Sequence, residues 1–209
     1  VQVFLLGEFD ALGHSHGPNS NFLVPRILAL LKTVKMLSKK SKFVVLFSDH
    51  GMFPISERID VLTMLEGLQL KFGVDYLAFF ESTMIRFWFF SDYARERITS
   101  FLSNFSFGHF LSDIERRSYG IDFKTNIYGD QVYLMEPSFE IFPSFFHPIY
   151  KNFDKGLHGY APEAKNSYAI LGSSCSLRNE KGTLLDISPT VLRLLDVKPP
   201  GSWKGHSLV

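Results

Sequence analysis

An α/β fold is predicted by three observations. Apolar runs of strand length end in polar clusters, an amphipathic helical stretch separates the first two of them, and the order strand, motif, helix, strand, motif is the grammar of such sheets. Residues 1–6, apolar except for Gln2, read as a continuous strand of the kind buried on both faces of a sheet. They lead into "FDALGHSHGP" (9–18), with one carboxylate and two imidazoles ahead of Gly17 and Pro18. Ile27, Leu28, Leu31, Val34 and Leu37 then recur at helical spacing, with Lys39, Lys40 and Lys42 near the C-terminal end of that stretch. "FVVLF" (43–47) reads as a second buried strand, ending at "SDHGM". Functional groups in such sheets gather at the carboxyl ends of strands, where both polar clusters fall.

From about residue 73 to residue 143 the texture changes to short Phe-rich strands, "TMIRFWFF" and "QVYLMEP", around a helix at 93–102. Residues 118–126 are more polar and turn-like. This stretch reads as an insertion packed against the main sheet, its aromatic density serving core packing rather than base stacking. The last third returns to α/β texture. "SYAIL" (167–171) is a strand, and "DISPTVLRLL" opens a helix with Ser188 as N-cap and Pro189 at the first helical position.

The bulk numbers narrow the function. A chain of 209 residues with 45% hydrophobic content builds one domain with a real core, with room for a subdomain. A net charge of +1 gives no field for a polymeric nucleic acid. The single Cys175, read as a small buried hydrophobe, excludes an internal disulfide, so nothing demands an oxidising compartment. The greasiest stretch, 76–90, is interrupted by Glu81 and Arg86, so no bilayer-spanning segment is expected. The chain starts with Val1 inside a strand pattern, which reads as a cut edge. The absence of a targeting segment therefore leaves the compartment open.

Three clusters carry chemistry: Asp10 with His14, the Asp49-His50 dipeptide, and His158 in "GLHGY". Each sits beside glycine at an expected strand end or loop. Imidazole and carboxylate are the ligands that zinc and similar divalent ions accept, and three or four must converge per ion. Singly each cluster is weak: an Asp-His pair caps turns, and a lone histidine is commonly hydrogen-bonded structure.

Together, "DALGHSHGPNS", "SDHGMFPISERI", "GLHGYAPE" and "DISPTVLRLLDVKPPGSWKGHSL" resemble the alkaline phosphatase superfamily, most closely its type I phosphodiesterase/nucleotide pyrophosphatase branch. The resemblance covers nearly the whole chain, the insertion least. It implies a doubly wound, largely parallel α/β sheet of the alkaline-phosphatase type with a small α+β insertion. Residues 1–72 and 144–209 would form the metal-binding core, incomplete at its N-terminus, and 73–143 the inserted subdomain.

The resemblance also implies two divalent ions, zinc by ligand type, clamping a phosphoryl group about 4 Å apart from one another. Asp10, His14 and His158 would hold one ion; Asp49 and His50 would supply half of the other. In the family a further Asp and a Thr or Ser nucleophile on an earlier strand complete the second ion. No motif here supplies them, so the expectation is a missing upstream segment and a chain inactive by itself. His16 falls where the family's motif varies and is expected to pack in the loop; Glu8 is either an outer-shell partner or solvated. His109, His147 and His206 match no ligand motif.

The implied activity is hydrolysis of a small phosphodiester or pyrophosphate, including nucleotides. Phosphomonoesterases, phosphonoacetate hydrolases and sulfatases share parts of this scaffold and stay open, as does a noncatalytic relative without the nucleophile. Ethanolamine-phosphate transferases usually bring the last His soon after the Asp-His-Gly motif, whereas the gap from His50 to His158 is long here.

Overall fold

A computed structural model describes residues 1–146, 153–179 and 181–209. Contacts divide the chain into two units, Val1–Ser20 with Met52–Tyr168, and Asn21–Gly51 with Ala169–Val209. In chain order the elements are α1 (Glu8–His16), α2 (Leu23–Ser38), β1 (Val45–Phe47), β2 (Phe53–Pro54), β3 (Glu57–Ile59), α3 (Val61–Glu66), β4 (Tyr76–Phe80), β5 (Met84–Phe89), α4 (Asp92–Leu102), β6 (Gly108–Phe110), α5 (Asp113–Ser118), β7 (Gln131–Met135), β8 (Phe139–Ile141), β9 (Gly156–Leu157), β10 (Leu171–Ser173) and α6 (Ile187–Leu194).

The first unit is built on the antiparallel sheet β4-β5-β7-β6. Alternation decides its faces. Tyr76, Ala78 and Phe80 of β4 point to one side with Ile85 and Phe87 of β5 and Tyr133 and Met135 of β7. Ile98 and Leu102 of α4 and Val61 and Leu65 of α3 belong to the same core. Val132 and Leu134 face the other way and form a second cluster with Leu111, so β7 is covered on both sides. Phe80, Phe87 and Phe107 of the Phe-rich stretch thus make core. Caps set the helix starts: Ser91 accepts from the Ala94 amide, Asp60 from Thr63, and Ser112 forms a reciprocal capping box with Glu115.

The second unit contains α2, the antiparallel pair of β1 with β10 (Val45 opposite Ser173), and α6. Thr190 is buried here; its hydroxyl donates to the Asp186 carbonyl and accepts from the Leu208 amide.

Several expectations change. Residues 1–6 form no strand, and Val1, Val3 and Leu5 are 89, 89 and 96% exposed. A strand buried on both faces needs ladder partners, and no described strand pairs with this run. The largely parallel sheet is also not what the described residues show. Their sheets are small and mixed, with β3 and β8 as the parallel pair, and the three-residue connection between β4 and β5 makes that pair an antiparallel hairpin. Residues 165–167 turn as a 3-10 helix, delaying the expected strand to Leu171–Ser173. Asp186 rather than Ser188 precedes α6, because Thr183 and Asp186 cap a preceding 3-10 turn that runs into the helix. The apolar face of α2 stays half exposed, with no fully buried residue.

Candidate metal centre

The run "EFDALGHSH" folds as helix α1 rather than as a loop after a strand. Glu8 and Asp10 in its first turn complement the helix dipole, and His14 and His16 lie in its last turn. Gly17, at φ +86°, ends it, and the Gly17 amide donates to the Gly13 carbonyl. Helical spacing then places Asp10 and His14, four residues apart, on one face and turns His16 away from it.

The third group arrives from far along the chain. β9 pairs with β2, Leu157 opposite Phe53, and packs beside α1. A Cβ on Gly156 would lie 2.5 Å from the Gly13 carbonyl oxygen, and one on Gly13 would lie 2.4 Å from Met52 Sδ. Helix and strand approach this closely because neither contact residue has a side chain. The amide of Lys155 also donates to the His14 carbonyl at 2.6 Å. His158, directly after β9, is thereby brought to His14, with ring centroids 5.2 Å apart and planes at 63°.

Asp10, His14 and His158 each offer a ligand atom, and these atoms lie within 4.8 Å of one another. Asp10 Oδ1 stands 3.4 Å from His14 Nε2 and 3.7 Å from His158 Nε2. Tetrahedral zinc with bonds of about 2.0–2.2 Å needs ligand atoms roughly 3.3–3.6 Å apart, so the donor set fits such an ion with small adjustments. Two neutral imidazoles and a carboxylate are also the right chemistry for it. Among the described residues this is the one group of three or more His, Cys, Asp or Glu side chains so placed.

Behind His14 lies a polar layer that sequence reasoning missed. His14 Nδ1 is buried without a hydrogen-bond partner, and the Asp154 carboxylate is 3.4 Å from it. Arg58 donates to the Asp154 carbonyl, lies 4.4 Å over the Phe153 ring and pairs through Nε with Glu140 at 2.9 Å. Glu140 is 1% exposed, and desolvation pushes its carboxyl above the usual range while Arg58 pulls it back. Asp154 stands four residues before His158 in "DKGLH", a spacing with no meaning until the chain is folded.

The other candidates are placed as follows. Asp49 and His50 belong to the second unit, where His50 Nδ1 meets the Gly51 carbonyl at 2.8 Å and Nε2 lies 3.6 Å from Asp49 Oδ1. His16 lines an open cleft with Arg58, Asp154 and Lys155 and is outside the three-residue group. Glu8 is exposed in the first turn of α1. His109 is held between carboxylates, 2.9 Å from Glu136 and 3.2 Å from Glu115. The His206 amide donates to Asp186, Cys175 is a half-buried free thiol, and His147 lies outside the described residues.

No protein-family model matches the sequence, and no curated protein matches it. Solved structures do. Human ectonucleotide pyrophosphatase/phosphodiesterase 5 superposes at a TM-score of 0.66 and 19% identity, over 91% of this chain and 53% of its own. The murine protein gives 0.66 and 17% over 96% of this chain and 54% of its own; an inactive murine variant in complex with AMP gives 0.64 and 17% over the same shares. The chain spans about half the length of these structures, and the likeness is one of fold.

Proposed function

We propose that this chain carries the metal-binding part of a phosphoric ester hydrolase acting on small phosphodiesters or pyrophosphates, nucleotides among them. One observation carries the reading: two segments more than 140 residues apart deliver Asp10, His14 and His158 to a single point with ligand-like spacing. The fold likeness to ectonucleotide pyrophosphatase/phosphodiesterase 5 supports the reaction class, and the AMP complex of the murine relative supports a nucleotide substrate. Asp10 Oδ1 and the Nε2 atoms of His14 and His158 would hold one divalent ion, zinc by donor type. Asp49 and His50 would supply half the ligands of a second. When bound, the ions supply Lewis-acid stabilisation of phosphoryl oxygens. The chain's own residues do the rest: Asp10 brings negative charge to the cations, and the imidazoles, fixed by helix and strand, leave one face of the site for substrate.

Zinc titration with metal analysis tests the reading. The expected result is one tight equivalent that His158→Ala abolishes and His50→Ala leaves nearly intact. Binding should weaken on acidification, because protons compete with the ion for imidazole ligands. A tight ion indifferent to His158, or two equally tight ions, would overturn the assignment.

A further inference from the structure

We propose that Asp154 is a positioning residue that sets which nitrogen of His14 is offered to the ion. The inference rests on the metal reading above. It starts from a buried atom: His14 Nδ1 is shielded from water and lacks a hydrogen-bond partner, while Asp154 Oδ2 stands 3.4 Å away. A buried ring nitrogen left unmatched costs roughly 1–3 kcal/mol, and a carboxylate can only accept. The arrangement that satisfies Nδ1 puts the proton on it, donated to Asp154, and leaves the lone pair on Nε2. That is the nitrogen 3.4 Å from Asp10 and on the side of His158.

The backbone that carries this carboxylate is held in place by its neighbours. Arg58 donates to the Asp154 carbonyl, and its guanidinium lies 4.4 Å over the neighbouring Phe153 ring. The next residue, Lys155, donates its amide to the His14 carbonyl at 2.6 Å, tying the segment to the same residue whose ring Asp154 addresses. Two residues beyond, β9 leads into His158. One short segment, 154–158, thus brings both a ligand and the orienter of another ligand. Glu140, buried behind Arg58, keeps that guanidinium in place at 2.9 Å. A carboxylate behind a metal-bound imidazole fixes ring and tautomer and raises ligand basicity.

Two readouts test it on the whole chain, in the parent, Asp154→Ala and the near-isosteric Asp154→Asn. The first needs no metal: long-range proton–nitrogen NMR of the neutral His14 ring, at about pH 8. The parent should show the Nδ1–H tautomer. Asp154→Ala should relax toward the Nε2–H form that free imidazole prefers, and Asp154→Asn, which keeps an acceptor oxygen, should retain most of the parent signal. The second is zinc competition against a chromophoric chelator, where Asp154→Ala should bind roughly 10–100-fold more weakly and Asp154→Asn should recover part of that loss. Should Asp154→Ala not fold, the Asn variant must still show a measurable tautomer change and weaker zinc binding. A parent ring in the Nε2–H form would overturn the proposal. So would an Asp154→Ala chain that keeps the Nδ1–H tautomer, or one that binds zinc within twofold of the parent. A parent with the Nδ1–H tautomer but no tight zinc would instead overturn the metal reading and leave the Asp154–His14 pairing standing.

Discussion

Arg58 divides its guanidinium among three neighbours: the carboxylate of buried Glu140, the carbonyl of Asp154 and the face of Phe153. Removing it would leave a carboxylate that is 1% exposed without its counter-charge. Arg58→Met is therefore expected to cost about 3–5 kcal/mol in urea unfolding at neutral pH, whereas Arg58→Met with Glu140→Leu should recover most of that loss. The pH sign follows from the direction of the shift. Glu140 has its native carboxyl pushed above the unfolded value by desolvation, so the folded state holds the proton more tightly. Its contribution is most favourable below the unfolded value and is lost as pH rises through the folded one. In the single variant the window widens, so its deficit should grow from mildly acidic to neutral pH. A deficit that shrinks with rising pH would contradict this account of Glu140.

At the scale of elements, the contact between α1 and β9 decides whether a centre exists. It depends on Gly13 and Gly156, because a methyl on Gly156 would stand 2.5 Å from the Gly13 carbonyl, a backbone atom that cannot turn aside. Gly156→Ala should then destabilise by about 1–3 kcal/mol, as overpacking does, and weaken zinc binding by separating His14 from His158. Gly201→Ala, where an added Cβ meets nothing within 4 Å, is the control and should leave both thermal midpoint and zinc affinity unchanged. Equal behaviour of the two variants in calorimetry and zinc titration would mean that the helix does not need this approach.

For the molecule as a whole, the proposed ligands fall into two sets: Asp10, His14 and His158 in one unit, and Asp49 and His50 in the other. Ser15 and Ser48 adjoin His14 and Asp49, but the Ser15 hydroxyl donates to the Ala11 carbonyl and the Ser48 hydroxyl accepts from the Ile170 amide, and neither set has an assigned nucleophile. Bis-p-nitrophenyl phosphate should consequently be turned over negligibly by this chain with zinc added. Robust turnover by the chain alone would identify a hydroxyl within it as the attacking group.

What the sequence determined by itself was chemical identity. Asp10, His14, Asp49, His50 and His158 stood out because three clusters of imidazole and carboxylate, each weak singly, occur together in one chain, and α4, β5 and β7 were legible because their apolar periods are local properties. Even the i, i+4 spacing of Asp10 and His14 was in the sequence, though the apolar run before it argued for a strand and a loop. The tertiary structure decided the rest. Ladder partners are non-local, so the run at 1–6 could look like a buried strand and yet remain exposed and unpaired among the described strands. The meeting of His158 with α1 depends on two glycines at a contact between remote segments. Asp154 and Glu140 lie in no motif, and the motif that contains Arg58 says nothing of its neighbours; burial makes an unmatched nitrogen or an unpaired carboxylate costly and so gives each neighbour its meaning.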